Sequence, residues 1–352
     1  MPVRVLVVDD SAVVRRALSE GLSRYDDIEV VGAAADPYAA RDLIVETQPD
    51  VLTLDVEMPL MDGLSFLERL MRHHPMPVVI VSSLTPKHSD AAVRALGLGA
   101  VAVVPKPGSR SSVPDVERQL VQAVRAAARA TVRQSACASA PPALTTTIGV
   151  GRRSDMLIAI GASTGGVGAI EEVLRAFPAD APPVLIAQHM PAAFTTSFAQ
   201  RLDHLCHVVV REARDGEFLA LGLALVAPGN VHLVVQRRGG RWVARLREGP
   251  LVHHQRPSVD VLFRSVAQAA SCNAVGVLLT GMGEDGARGL LELREQGAHT
   301  IAQDELSSVV YGMPRAAAEI GAAREICALG SVAQAVLDAC HGATPRGVGQ
   351  AG

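Results

Sequence analysis

Short runs of aliphatic, mostly β-branched residues recur through the first part of the chain, and none of them alternates with polar residues. Strands of this composition are buried on both faces, as happens when helices cover both sides of a parallel sheet. Residues at helical spacing, such as Val14, Leu18 and Leu22, lie between the runs. The pattern predicts a doubly wound α/β domain whose five strands are Val5–Val8, Ile28–Ala33, Val51–Leu54, Val78–Val81 and Val101–Val104.

The chain has 352 residues, more than one hydrophobic core usually organises, so we expect two domains. Between residues 126 and 155 the composition shifts to Ala, Arg, Ser, Thr and Pro, which indicates a flexible linker. The predicted divisions are a first domain over 1–125, the linker over 126–155, a second domain over 156–342 and a disordered tail over 343–352.

The second domain repeats the α/β rhythm. Within Ala224–Leu246, the pair Gly239-Gly240 separates two apolar runs and predicts a β-hairpin. We therefore expect a mixed, mostly parallel, doubly wound sheet with further strands at Leu157–Ile160, Val184–Ala187, Ala274–Leu279, Thr300–Gln303 and Glu325–Leu329.

The bulk composition excludes several classes of function. A formal net charge of -3 gives no general attraction to nucleic acid. The chain shows neither a signal peptide nor an apolar run long enough to span a membrane, so we expect a cytoplasmic protein without membrane insertion. Disulfides and a zinc site are disfavoured because the cysteines are odd in number and widely spaced: Cys137, Cys206, Cys272, Cys327 and Cys340.

Three carboxylates come at predicted strand ends in the first domain. Asp9 and Asp10 follow the first strand and Asp55 ends the third, and such a cluster suits Mg²⁺. Lys106 after the fifth strand and Ser82 after the fourth would contact a phosphoryl group. This set predicts in-line attack of Asp55 on phosphorus to give an acyl phosphate. Singly, each residue has a simpler interpretation: Asp10-Ser11 could cap the helix that begins at Ala12, and Lys106 could be a solvent-facing lysine.

The same residues carry a family resemblance over about the first 125 residues. The motifs resemble the flavodoxin-like receiver domain of two-component response regulators, which implies phosphorylation of Asp55 by a CheA-type histidine kinase and Mg²⁺ held by Asp9, Asp10 and Asp55. Val103 departs from the pattern, because many receivers have Tyr or Phe there. The motifs are Val7-Val-Asp-Asp-Ser, Leu54-Asp-Val-Glu-Met-Pro-Leu-Met-Asp-Gly and Pro105-Lys-Pro.

In the second domain, a serine follows the first buried strand within a turn of small residues. Ser163 in this turn would expose its hydroxyl at the carboxyl edge of the sheet, where backbone N–H groups can approach an oxyanion. His189 directly follows the next strand and is the candidate base, and Asp285 or its neighbour Glu284 is the candidate orienting carboxylate. Most of the histidines outside strand ends are expected at the solvated surface: His204, His207, His253 and His254.

Two other interpretations of the small-residue turn fit less well. Gly161-Ala-Ser-Thr-Gly matches the G-x-S-x-G pattern of α/β-hydrolases, but their order along the chain is Ser, acid, His, whereas here it is Ser, His, Asp. A dinucleotide site would need G-x-G-x-x-G and an acid after the next strand, and both are missing. The order predicts a separate fold with a convergent site.

From about Met156 to Ala339 the chain resembles the catalytic domain of the chemotaxis protein-glutamate methylesterases, the CheB family. The resemblance implies hydrolysis of glutamate methyl esters on methyl-accepting chemoreceptors, with release of methanol, and deamidation of particular receptor glutamines. It implies Ser163 as nucleophile, His189 as base and then acid, Asp285 as orienting carboxylate, and backbone oxyanion donors near Thr164 and Met282, without a metal. The motifs are Ile160-Gly-Ala-Ser-Thr-Gly-Gly, Gln188-His-Met-Pro, Ala227-Pro-Gly-Asn-Val-His, Arg256-Pro-Ser-Val-Asp-Val-Leu-Phe, Leu279-Thr-Gly-Met-Gly-Glu-Asp-Gly-Ala and Val310-Tyr-Gly-Met-Pro.

Two rival functions stay open from the sequence. One is a signalling or scaffolding protein with a degraded hydrolase domain under the control of Asp55. The other is a receiver-linked esterase that acts on something other than chemoreceptors. The presence of all three triad residues disfavours decay of the active site, whereas the second rival would show the same motifs.

Overall fold

The structure, a computed structural model, describes residues 1–58, 61–83, 85–106, 113–132 and 155–341. Most of the predicted linker, residues 133–154, and all of the predicted tail lie outside these ranges. In the first domain the strands are β1 (Val3–Val8), β2 (Ile28–Ala34), β3 (Val51–Asp55), β4 (Val78–Ser82) and β5 (Ala102–Pro105). The helices are α1 (Ala12–Leu22), α2 (Pro37–Thr47), α3 (Gly63–His73), α4 (Pro86–Gly97) and α5 (Val113–Ala127).

All five predicted strands of the first domain are present within a residue or two, in one parallel sheet of order β2-β1-β3-β4-β5. The chain leaves β1 toward β2 on one side and reaches β3 on the other. The strand order therefore reverses between β1 and β3, which is where ligand sites of such sheets form. Asp9 follows β1 and Asp55 ends β3, so both acids lie at this point.

The second domain is built on seven strands in the order β15-β14-β13-β6-β7-β10-β8, with the reversal between β6 and β13. Their bounds are β6 (Leu157–Ala162), β7 (Val184–Gln188), β8 (Val209–Glu212), β10 (Leu223–Val226), β13 (Ala274–Leu278), β14 (His299–Gln303) and β15 (Glu325–Cys327). The helices are α6 (Gly166–Arg175), α7 (Ala192–Leu205), α8 (Val259–Ala270), α9 (Ala287–Glu295), α10 (Met313–Glu319) and α11 (Leu329–His341).

The predicted hairpin exists, but the prediction of a mixed sheet was wrong. Every pairing within the seven-stranded sheet is parallel. The hairpin strands β11 (His232–Arg238) and β12 (Arg241–Arg247) instead join β9 (Glu217–Phe218) in a separate antiparallel sheet of order β11-β12-β9. Buried apolar residues on its inner side pack with those of α8, so the hairpin covers that helix rather than extending the main sheet.

The two domains contact each other directly. Helix α4 of the first domain packs against α6 and α7 of the second. Gly165 N of the second domain donates to Val101 O of the first at 3.3 Å, and Thr131 N, in the segment predicted as linker, donates to Val309 O at 2.8 Å. Within the described part of the chain, no helix has the length and apolar character needed to cross a membrane.

Candidate active site and phosphate-accepting site

The acids of the first domain form one cluster with Lys106. Ligand atoms of Asp9, Asp10 and Asp55 all lie within 4.8 Å of one another. Lys106 Nζ donates to Asp55 Oδ2 at 2.7 Å and lies 2.8 Å from Asp9 Oδ2, an ion-pair contact that lacks hydrogen-bond geometry. Ser82, on the neighbouring strand end, is buried as well. The strand ends thus bring together every residue predicted for this site.

Burial raises the pKa of Asp55 above its ordinary value and outweighs the hydrogen bond from Lys106, while the charge of Asp9 adds to the rise. Burial lowers the pKa of Lys106, but its contacts with Asp55 and Asp9 outweigh that and leave the pKa raised. The ammonium therefore stays charged and neutralises part of the cluster. A divalent cation suits the remaining negative charge, and the buried Asp9 Oδ2 lacks a hydrogen-bond donor.

The simpler interpretations of these residues, as a helix cap or a solvent-facing lysine, can be checked one by one. Of the pair Asp10-Ser11, Ser11 caps α1, since its side chain accepts a hydrogen bond from Val14 N. The carboxylate of Asp10 is exposed beside the cluster, and the Lys106 side chain is only 15% exposed. Val103 lies on β5 and lines a pocket between the two domains.

In the second domain, Ser163 lies in the turn between β6 and α6, where the chain reverses direction tightly. Gly165 has a φ of 77°, and a Cβ there would lie 2.5 Å from Val309. Gln188 holds the turn from the next strand end: its Nε2 donates to Ser163 O at 2.8 Å and to His189 O at 3.1 Å. One side chain therefore fixes the serine turn against the residue that carries the imidazole.

His189 and Asp285 meet at the same edge of the sheet. His189 Nε2 lies 2.8 Å from Asp285 Oδ2, and their side chains are 5% and 2% exposed. Because the carboxylate accepts, this contact places a proton on Nε2. The other ring nitrogen, Nδ1, is buried without a hydrogen-bond partner. The imidazole and Ser163 both line one pocket, which leaves Nδ1 as the candidate basic atom of the site.

The N-terminus of α8 supports Asp285. Ser258 Oγ donates to Asp285 Oδ1 at 2.8 Å, Val259 N donates to Oδ2 at 2.8 Å, and Asp260 N donates to Oδ1 at 3.0 Å. Burial alone would raise the pKa of Asp285, but the His189 contact and these donors outweigh burial and hold it below its ordinary value. The carboxylate is therefore ionised and its two oxygens are fixed.

Glu284, the alternative orienting group, is excluded by position. Its side chain is 65% exposed and contacts His253 Nδ1 at 3.4 Å rather than His189. His253 is itself half-buried, because its Nε2 lies 3.1 Å from the buried Asp260. The expectation that most of these four histidines lie at the surface is met by His204, His207 and His254, which are exposed, and His253 is the exception.

The loop after β13 lies against the serine turn. A Cβ on Gly281 would lie 2.7 Å from Ser163 Cβ, so only glycine permits this approach. Ser163 N donates to Thr280 O at 3.0 Å, and Thr280 Oγ1 donates to Thr164 O at 3.0 Å. Among the described residues, the backbone N–H groups of Thr164 and Met282 donate to no protein acceptor.

The first domain forms one wall of the pocket that contains Ser163 and His189. Leu96 from α4 and the segment 100–103 line it from that side. The opposite side is formed by the serine turn, Gln188, His189 and the start of α7. The pocket is therefore shared between the domains rather than belonging to the second domain alone.

Two family models match separate parts of the chain. Residues 158–336 match the model described as CheB methylesterase, and residues 5–116 match the response regulator receiver domain. The chain belongs to the CheB methylesterase family. A Syntrophus aciditrophicus protein-glutamate methylesterase/protein-glutamine glutaminase is 53% identical over 95% of this chain and 98% of its own length. A Paraburkholderia xenovorans protein of the same name is 52% identical over 95% of this chain and 96% of its own.

A solved structure supports the assignment of the CheB fold. The Thermotoga maritima CheB methylesterase catalytic domain is 32% identical, with a TM-score of 0.51, and the match covers 54% of this chain and 99% of that one. The sequence-based prediction of a methylesterase of this family with a receiver domain is confirmed by these matches.

Sequence reasoning missed several residues that build the CheB-type site. Ser258, Gln188 and Thr280 hold the candidate triad residues and their loops in place. They are part of the quoted motifs, but the sequence patterns assigned them no role. Their polar side chains at the ends of buried apolar segments were the available signal. Ser258 is also the N-cap of α8, a position where serine alone would suggest only helix initiation.

Proposed function

We propose that the chain is a phosphorylation-regulated chemotaxis enzyme that hydrolyses glutamate methyl esters on methyl-accepting chemoreceptors and deamidates particular receptor glutamines. The carrying observation is the buried contact between His189 Nε2 and Asp285 Oδ2, which leaves Nδ1 without a hydrogen-bond partner in a residue that lines the same pocket as Ser163. A scaffold with a decayed active site has no need of a fully supported, ionised carboxylate at this position.

In the proposed reaction, Ser163 Oγ attacks the ester carbonyl carbon while His189 Nδ1 takes the hydroxyl proton. The tetrahedral oxyanion accepts hydrogen bonds from the free N–H groups of Thr164 and Met282. His189 then gives its proton to the departing methoxide, which leaves as methanol and yields an acyl-enzyme. Water attacks this ester with the same base, releasing the glutamate carboxylate and restoring Ser163. A glutamine substrate passes through the same acyl-enzyme and releases ammonia.

Asp285 acts through His189 in this scheme. Its ionised carboxylate holds the proton on Nε2 and stabilises the imidazolium that forms when Nδ1 is protonated. No step of this chemistry calls for a metal in the second domain.

For the first domain, we propose phosphorylation of Asp55 by a CheA-type histidine kinase. Asp9, Asp10 and Asp55 would hold Mg²⁺, which offsets the charge of the phosphoryl oxygens when bound. Lys106 would then contact the phosphoryl group, and Ser82 would donate its hydroxyl to it. Because the Lys106 ammonium already pairs with Asp55 and Asp9, phosphorylation must rearrange these contacts.

Regulation is proposed to act through the shared pocket. The unphosphorylated first domain limits access to Ser163 by contributing the wall formed by Leu96 and residues 100–103. Phosphorylation activates only if it favours the separated arrangement over this one. The proposed site of action is the cytoplasm, where the methylated receptor helices and the kinase meet the enzyme.

The activity is tested with radiomethylated receptor membranes. Wild type is expected to release volatile methanol, and Ser163→Ala to lose at least about a thousand-fold in rate. Ser331→Ala, an exposed serine on α11, serves as the matched control and should act as wild type does. Equal release by the Ser163→Ala variant, or none by wild type, would overturn the assignment.

The regulation is tested with a small phosphodonor and Mg²⁺. Asp55→Asn should keep basal esterase activity and lose stimulation, because the amide cannot form the acyl phosphate. Asp26→Asn changes an exposed acid of the same domain and should stay fully stimulated. Undiminished stimulation of Asp55→Asn would refute this model.

A further inference from the structure

Four arginines share the outer face of the β11–β12 hairpin. The register pairs Arg238 with Arg241, Val234 with Arg245 and His232 with Arg247. Since side chains alternate between the faces of a strand, Arg238, Arg241, Arg245 and Arg247 project to the same side. We call this set the arginine face.

The opposite side of the hairpin belongs to the core. Leu233, Val235, Trp242 and Ala244 are all buried in the cluster that includes α8. Val235 N also donates to Ser265 Oγ on that helix at 3.0 Å. The hairpin is therefore fixed on the second domain by its inner side. On the outer side His232 and Val243 are buried, whereas Arg238, Arg241 and Arg247 are exposed.

The charge of the arginine face is poorly neutralised within the chain. His232–Arg247 contains no Asp or Glu, although the net charge of the whole protein is -3. Arg245 lies 3.3 Å from Asp215. Within the described ranges, Arg238, Arg241 and Arg247 are exposed and make no ion pair.

One contact of the arginine face opposes stability, and another holds one of its arginines in place. Arg238 and Arg241 are directly opposite each other across the two strands, where like charges are destabilising. Arg241 lies 4.3 Å above the ring of Phe218, itself 40% exposed, which holds the guanidinium in place instead of leaving it to move freely in solvent. An anionic partner would relieve the repulsion between Arg238 and Arg241.

The base of the hairpin is linked to the active site. Strand β11 begins at His232, whose Nδ1 accepts a hydrogen bond from Ser258 N at 3.2 Å. Ser258 in turn donates to Asp285. Arg247 is paired with His232 and thus lies at the active-site end, and Arg238 and Arg241 extend the charge along the hairpin to its tip.

We propose that the arginine face binds an acidic, glutamate-rich segment of the protein substrate next to the esterified residue. This inference rests on the proposed function. Ester hydrolysis and deamidation each leave a glutamate carboxylate, so the segments that flank a reacting residue gain negative charge as the reaction proceeds. Guanidinium groups bind carboxylates with paired hydrogen bonds, and such contacts orient a partner and speed its association.

The test compares steady-state kinetics on methylated receptor membranes at low and high salt. Arg238→Ala/Arg241→Ala should raise KM about three- to thirty-fold and leave kcat within about two-fold, because the arginines contact only the flanking segment. The Arg238→Lys/Arg241→Lys pair keeps the charge and should restore most of the affinity. Arg324→Ala is the matched control, an exposed arginine beside β15 at the opposite edge of the main sheet.

Poly-L-glutamate provides a probe that is independent of turnover. It should inhibit wild type competitively at low salt, and the alanine pair should weaken this inhibition by the same factor as KM. If the alanine pair has the KM and the salt dependence of wild type, the proposal for the arginine face is overturned. The proposed function still stands in that case, provided that wild type releases methanol. Stronger inhibition by duplex DNA than by polyglutamate, lost in the alanine pair, would assign the face to nucleic acid and also overturn it.

Discussion

At the scale of single residues, the candidate triad depends on the side chains that hold Asp285. Three donors from the start of α8 contact this carboxylate: two reach Oδ1, and the third shares Oδ2 with His189. Ser258 has two tasks there: its Oγ caps α8 by accepting from Val261 N and donates to Asp285. The same hydroxyl therefore stabilises the start of α8 and holds Asp285 in the candidate site.

Ser258→Ala tests this double task. We expect the free energy of unfolding to fall by about 1–2 kcal/mol because the cap is lost, and kcat to fall roughly ten-fold because Asp285 loses a donor. Ser258→Thr keeps the hydroxyl and should keep most of both. Asp36→Ala removes the cap of α2, far from the site, and should lower stability alone. Chemical denaturation and methanol release measure the two effects, and a fully active Ser258→Ala enzyme would contradict the role.

The lowered pKa of Asp285 has a consequence for stability in acid. A carboxylate whose pKa is below its ordinary value of 3.8 in the folded state stabilises the fold above that pH, and this contribution disappears as pH falls through the folded pKa. We expect wild type to exceed Asp285→Asn in denaturation midpoint near neutral pH, with the gap narrowing below about pH 4. A gap that widens in acid would contradict the ionised state of Asp285.

At the scale of elements, glycines set how closely the loops approach the site. Gly286, between Asp285 and α9, has a φ of 93°, and a Cβ there would lie 2.6 Å from Val259. Its N–H also donates to Asp260 Oδ1 at 3.0 Å. The loop that carries Asp285 can therefore close onto α8 only with glycine at this position.

Gly286→Ala should move Asp285 away from His189 and α8. We expect a loss of about 1–3 kcal/mol in unfolding free energy and at least about a ten-fold loss of kcat. Gly168→Ala is the control, since a Cβ in this part of α6 meets nothing within 4 Å and alanine favours helix. Its unfolding free energy should rise slightly. Normal activity of Gly286→Ala would show that the loop tolerates the change.

Much of this architecture could be predicted from the sequence, and the failures have physical reasons. Buried parallel strands are apolar throughout, so β1 and β6 with the acids and serine that follow them were evident. The separate sheet was missed because pairing partners are set by tertiary packing, here of Trp242 and Val235 against α8. The contact between His253 and Asp260 was missed because the two residues are seven apart in sequence, and the position of Asp260 in the first turn of α8 brings them together.

At the scale of the whole molecule, the two domains share the pocket that contains Ser163. Leu96 of α4 belongs both to that pocket and to a hydrophobic cluster that includes residues of both domains. The contact is close, because a Cβ on Gly97 would lie 2.4 Å from a guanidinium nitrogen of Arg201 on α7. The position of α4 therefore determines access to the proposed nucleophile.

Leu96→Glu should weaken the domain contact by placing a charge in an apolar wall. We expect basal esterase activity without phosphodonor to rise several-fold, and stimulation by phosphodonor to shrink accordingly. Leu98→Glu alters an exposed leucine just after α4 and should leave basal activity unchanged. Steady-state methanol release measures both, and a Leu96→Glu enzyme with wild-type basal activity that still folds, by circular dichroism, would argue against control through this wall.

Under the proposed regulation, the shared pocket would make the first domain a tethered competitor of the substrate. An inhibitor that is held on the same chain acts at an effective concentration fixed by its connection, and it does not dilute as the protein does. A substrate that occupies the pocket must displace that wall, so its own abundance opposes the inhibition. Regulation of this kind would raise the substrate concentration needed for half-maximal rate. A high local concentration of receptors would therefore partly relieve the inhibition before Asp55 is phosphorylated.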